Sequence, residues 1–133
     1  MAEKFKLKVI TPTANFYNGD VTMVEFTTTM GDVGIYKGHI PMTSIIAPGP
    51  LNIHEGDDIK IAALISGFVQ ILQEEVTIMA ETCEWPDEID ENRAEEAKQR
   101  AERRISENKE DTDIMRAELA LRRALTRISV KNQ

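Results

Sequence analysis

The chain has 133 residues, with 16 basic against 23 acidic side chains and a formal net charge of −7 at pH 7. That balance argues against a nucleic-acid partner, because phosphate backbones are held by clustered positive charge. No run approaches the roughly 18 to 20 apolar residues that span a bilayer, and the Met-Ala-Glu-Lys start lacks the apolar stretch of a signal peptide, so a soluble, cytoplasmic protein is expected.

In chain order, the alternation from Lys4 to Ile10 puts Phe5, Leu7 and Val9 on one face, as a half-buried strand requires, and Thr11-Pro12 ends it. Further apolar or β-branched runs occupy 21–29, 51–53, 59–65, 68–72 and 76–80. Between them stand Asn18-Gly19-Asp20, Gly31-Asp32, Pro48-Gly49-Pro50, Glu55-Gly56-Asp57-Asp58, Ser66-Gly67 and Gln73-Glu74-Glu75, most of them good turn formers. Short strands at this spacing predict a β-sandwich or flattened barrel over residues 1–86. Cys83, the one cysteine, supplies neither an internal disulfide nor a metal cluster and reads as a small apolar filler.

After Glu84-Trp85-Pro86 the composition changes to Ala, Glu, Arg, Lys and Leu, with no further glycine or proline. All eight arginines lie in this second part, which has eleven basic against twelve acidic residues, net −1; the first part has five against eleven, net −6. Residues 87–133 are therefore predicted to form an antiparallel two-helix hairpin, making the chain a two-part α+β protein. Asp87 or Asp90 can cap the first helix, the polar stretch 106–111 is the break, and Thr112 or Asp113 can start the second. Ile114, Ala117, Leu121, Ala124, Leu125 and Ile128 form an apolar stripe on the second helix. On the first, Ile89, Ala94, Ala97, Ala101 and Ile105 form a thinner one, mostly methyl groups. So poor an apolar face predicts a marginal hairpin, open to a second arrangement or a stabilising ligand.

Arg93, Arg100 and Arg104 lie within about 40° of one another around the first helix, and Arg116, Arg123 and Arg127 repeat the spacing on the second. Converging guanidiniums are either balanced by carboxylates or occupied by a polyanion. Two readings stay open here: a solvated face balanced by Glu95, Glu96, Glu102 and Glu118, or an anion reached from both helices. Asp90, in the first turn and three residues before Arg93, can interact with the helix dipole and orient that guanidinium.

The segments Gly31-Asp32-Val33-Gly34-Ile35, Gly38-His39-Ile40-Pro41, Ser66-Gly67-Phe68-Val69, Val76-Thr77-Ile78-Met79-Ala80-Glu81 and 116–125, in this order and spacing, resemble landmarks of the ATP synthase epsilon subunit family. Tyr36 and Ser66 depart from its usual aliphatic and glycine residues, which reads as local packing change. His39 reads as part of a turn between Gly38 and Pro41, without a second ligand to make a metal site. The resemblance implies a sandwich resting on the gamma subunit and the c-subunit ring, and a mobile hairpin that can extend towards the alpha and beta subunits of the catalytic head and block hydrolysis. Membrane contact is then through the complex only, peripheral on the cytoplasmic face of the bacterial cell membrane.

Bacillus-like members carry a nucleotide motif, Ile/Leu-Asp-x-x-Arg-Ala, which Ile89-Asp90-Glu91-Asn92-Arg93-Ala94 matches at every specified position. Carried over by position, the resemblance implies a regulatory ATP site formed by Glu84, Ile89, Asp90, Arg93, Ala94, Arg100, Arg123 and Arg127, with ATP favouring the compact hairpin. It implies no catalytic residue and no catalytic cofactor, and it leaves any magnesium requirement open. The sequence also lacks a phosphate-binding G-x-x-x-x-G-K-[ST] loop and a nucleophile with a recognisable base. The alternative is the same rotor subunit without a nucleotide site, its arginines serving only as contacts to acidic beta-subunit surfaces.

Overall fold

The computed structural model describes residues 3–107 and 111–133, with side chains throughout except at 111 and 112. Eight strands come first: β1 Phe5–Ile10, β2 Asn15–Val21, β3 Met23–Thr28, β4 Gly31–Ile35, β5 Met42–Ile46, β6 Gly49–Glu55, β7 Asp58–Ile71 and β8 Glu75–Glu84. A 3-10 turn, Pro86–Glu88, leads to helices α1, Glu91–Glu107, and α2, Asp111–Lys131. The hydrogen-bonded order is β2-β1-β8-β7-β5-β3-β4, while β6 joins β3 to β7. β1 runs parallel to β8, and every other recorded pairing is antiparallel. The sheet thus folds over itself as the expected β-sandwich, followed by two helices.

Period-2 alternation builds the core. In β1, Phe5, Leu7 and Val9 are buried, and they meet Val24, Phe26, Leu51, Ile53, Leu64, Val69, Val76 and Ile78 from the surrounding strands. Cys83 sits in the same cluster; burial, then the charge of Glu84, pushes its thiol up to about 12, so it is protonated and unreactive at neutral pH.

Several expected turns are not turns. Ser66-Gly67 is a bulge inside the 14-residue β7, where the register against β8 shifts. The break lets one long strand pair with β6 through residues 58–64 and with β5 through 67–71. Gly67 has φ +138°, and a β-carbon there would collide with the Met79 carbonyl, so glycine is required. Asn18-Gly19-Asp20 lies within β2, because pairing with β1 overrides local turn preference. Gly31-Asp32 opens β4, with the turn one step earlier at Thr29-Met30. β5 has a short and partly polar sequence, Met-Thr-Ser-Ile-Ile, and is a strand because β7 pairs with it. At the hairpin, α2 begins at Asp111, ahead of both expected starts; a cap by Thr112 concerns a side chain outside the described residues.

Tyr17 of β2 is buried, and its hydroxyl donates to the Glu55 carboxylate at the end of β6. Burial first, and then Glu55, raise the Tyr17 phenol well above its ordinary value, while the Tyr17 hydroxyl and then Lys60 hold Glu55 below the usual carboxylate range. A raised phenol contributes stability that is lost as pH rises beyond the unfolded value of about 10. A lowered carboxylate contributes stability that is lost as pH falls below about 4.3. Tyr17→Phe is therefore expected to flatten both flanks of a pH–stability profile measured by urea unfolding. In the same assay Gly67→Ala is expected to cost about 3 kcal/mol or more, because strain adds to a backbone collision. Gly31→Ala, at φ +122° but with nothing within 4 Å of an added methyl, should cost only about 1–2 kcal/mol.

Candidate functional site

The site is built where the chain leaves the sandwich. Trp85 stacks on Phe16 with ring centroids 4.3 Å apart and planes 19° from parallel. Its backbone N–H donates to Glu88 Oε1 at 2.9 Å, which tightens the 3-10 turn that Pro86 begins. Ile89 then drops into a small second core with Ala63, Ile65 and Val130, and is only 4 % exposed. Asp90 follows as the cap of α1: its Oδ1 accepts the Arg93 N–H at 3.2 Å, as expected of a carboxylate at this position. That oxygen serves the backbone, so the Arg93 guanidinium is not the group it holds.

The two helices meet through alanines. Ala94 and Ala101 of α1 and Ala117 and Ala124 of α2 are buried, so their backbones approach closely while little hydrocarbon is removed from water. α2 rests on β6, β7 and the 3-10 turn, whereas α1 packs mainly on α2. Two polar contacts reinforce the docking of the last turns of α2. Arg127 Nε donates to Glu84 Oε1 at 2.6 Å, and Lys131 Nζ donates to the Pro86 carbonyl at 3.0 Å.

Beside these contacts is a cleft of about 380 Å³ between the end of β8, the 3-10 turn and both helices. Six of the eight residues implied by the resemblance line it: Glu84, Asp90, Arg93, Ala94, Arg100 and Arg127. Ile89 and Arg123 do not. Ile89 is turned into the second core, and Arg123, one turn before Arg127, lies outside the lining. Glu88, Glu96 and Ala97 also line the cleft, and sequence reasoning did not place them there. For Glu96 a signal existed, since it stands three residues after Arg93 and four before Arg100 on one helical stripe.

The balancing carboxylates behave differently from a solvated charge ladder. Glu95 pairs with Lys98 at 3.7 Å, and among the described residues neither Glu96, Glu102 nor Glu118 pairs with an arginine. Arg127 has Glu84, while Arg93 and Arg100 make no ion pair among the described residues. Two uncommitted guanidiniums thus face one cleft beside a third whose partner comes from the sandwich. Among the described residues no three His, Cys, Asp or Glu side chains gather as a metal site, and no helix is long and apolar enough to cross a membrane.

The family model described as ATP synthase, Delta/Epsilon chain, beta-sandwich domain matches residues 4–86, and the one described as ATP synthase, Delta/Epsilon chain, long alpha-helix domain matches 87–132. The chain belongs to the ATP synthase epsilon-chain family. It is similar to the ATP synthase epsilon chain of Caldanaerobacter subterraneus, 42% identical over 100% of this chain and 97% of the relative. That of Halalkalibacterium halodurans is also 42% identical, over 93% of this chain and 94% of its own length. A chain in the solved Euglena gracilis mitochondrial ATP synthase, comprising OSCP, F1 and the c-ring, shares the fold, with a TM-score of 0.83 at 18% identity, covering 100% of this chain and 84% of that one.

In this epsilon chain the second core joins the hairpin to the sandwich through Ile89 and Val130. Ile89→Ala is expected to cost roughly 2–4 kcal/mol, confined to hairpin docking. Hydrogen exchange checks this: amides of α1 and α2 should exchange faster while β1 to β8 keep their protection.

Proposed function

We propose that this epsilon chain is a non-catalytic rotor subunit of the ATP synthase central stalk, with a regulatory ATP site in the cleft between its helices. The observation that carries the reading is the pair Arg93 and Arg100, without ionic partners among the described residues, facing the same cleft as Arg127. Guanidiniums hold phosphate in bidentate, charge-assisted contacts, so a triphosphate reached by Arg93 and Arg100 from α1 and by Arg127 from α2 would draw the two helices together. Glu84, which lines the cleft from the end of β8, is assigned to the nucleoside end. The residues need supply no chemistry beyond binding.

The compact hairpin is the form ATP selects. At about 100 times its dissociation constant a ligand favours the competent state by roughly 2.7 kcal/mol, comparable with the docking of a few small side chains. When ATP is scarce the hairpin leaves the sandwich and extends towards the alpha and beta subunits, where it restrains hydrolysis. The sandwich stays on the gamma subunit and the c-ring, at the cytoplasmic face of the cell membrane, and so takes part in coupling proton transport to ATP synthesis. Its exposed apolar side chains support a partner-covered surface: Met30 is 91% exposed, Ile40 77% and Ile45 64%, with Phe68 beside Ile45 across the β5–β7 pairing.

Calorimetric titration of the isolated chain with ATP tests the site. Saturable binding is expected, weakened at least tenfold by Arg93→Ala or Arg127→Ala, the loss of one charge-assisted contact of about 1.5–3 kcal/mol. Absence of any heat at millimolar ATP would remove the nucleotide reading. Arg123, outside the cleft lining, favours a second role for part of the arginine set as contacts to acidic beta-subunit surfaces. Arg123→Ala should then relieve inhibition in the assembled enzyme and leave ATP binding by the free chain almost unchanged.

A further inference from the structure

We infer that Glu96 determines the form in which the nucleotide is taken, disfavouring the metal-free triphosphate and favouring its magnesium complex; the inference rests on the nucleotide reading above. Arg93, Glu96 and Arg100 stand at i, i+3 and i+7 on α1, and all three line the cleft. Residues at this spacing share one helical stripe, so the carboxylate lies between the two guanidiniums that phosphate would reach.

The cleft holds four carboxylates, and three have partners. Glu84 takes the Arg127 Nε, Glu88 the Trp85 N–H and Asp90 the Arg93 N–H. Glu96 makes no hydrogen bond or ion pair among the described residues, although an arginine stands on each side of it in the stripe. Four carboxylates against three guanidiniums leave the lining at a net charge of −1. A free triphosphate reached by Arg93 and Arg100 is brought against the Glu96 carboxylate between them, and that repulsion offsets part of what the guanidiniums contribute. A divalent cation on the phosphates reverses the sign of that encounter. Magnesium keeps several of its waters and is commonly held by one or two carboxylates together with the phosphates, so a single partnerless carboxylate, acting directly or through water, suffices.

The full chain is titrated with ATP in chelator and again in excess magnesium, for the natural protein, Glu96→Gln and Glu95→Gln. Glutamine preserves size and helix propensity at an exposed position, and Glu96→Ala serves as a second variant. The natural chain is expected to bind magnesium–ATP roughly two- to fivefold more tightly than metal-free ATP, the range of one screened charge contact. Glu96→Gln and Glu96→Ala should bind metal-free ATP more tightly by the same factor and lose the magnesium preference. Glu95→Gln should retain it, since Glu95 pairs with Lys98 and lies off the cleft lining. Equal binding by the natural chain with and without magnesium, or an unchanged preference in both Glu96 variants, overturns this inference and leaves the site intact. No binding in either buffer overturns the nucleotide reading, and this inference with it.

Discussion

Burial of Ile89 against Ala63, Ile65 and Val130 is the contact on which the arrangement of the two parts depends. It joins the residue just before α1, two residues of β7 and the last turns of α2 in one small apolar cluster. The beginning of one helix and the end of the other are therefore pinned at the same place on the sandwich. Between those points α1 and α2 meet through the buried alanines Ala94, Ala101, Ala117 and Ala124. Such a pair gains little from hydrophobic burial, because a methyl removes only a fraction of the area that a leucine would. The main core, by contrast, is lined from both layers by fully buried Leu, Ile, Val and Phe side chains and owes nothing to the hairpin.

Charge is distributed on the same plan. The arginines are confined to the helices, and their partners in the sandwich are few. Glu84 and Arg127, separated by 43 positions in sequence, form the one ion pair between the two parts among the described residues. Both side chains are about one-quarter exposed, so the pair orients α2 more than it stabilises it. Arg93 and Arg100 on α1 have no ionic partner among the described residues. Packing through small alanine side chains and two guanidiniums without an ionic partner among the described residues thus meet at one cleft.

The partition of the chain was legible because the two parts obey different periodicities. Alternation in β1 and the loss of glycine and proline after Pro86 each reflect a local requirement of the backbone. Asp90 was legible for the same reason, since a cap satisfies an N–H three residues away. Of the motif from Ile89 to Ala94, Asp90, Arg93 and Ala94 line the cleft, whereas Ile89 serves the docking of the hairpin.

What the sequence alone determined is whatever depends on neighbours within a few positions: strand faces, the helical composition of the second part, the cap, and the stripes on which the arginines lie. Only the tertiary structure decided the rest. The strand character of Asn15–Val21 and the bulge at Ser66-Gly67 come from pairing across sheet layers, which overrides local turn preference. The Glu84–Arg127 pair, the exclusion of Arg123 from the cleft lining and the place of Glu96 in it come from the packing of two helices against the sandwich. Spacing along a helix states which side chains share a face; it does not state what that face meets.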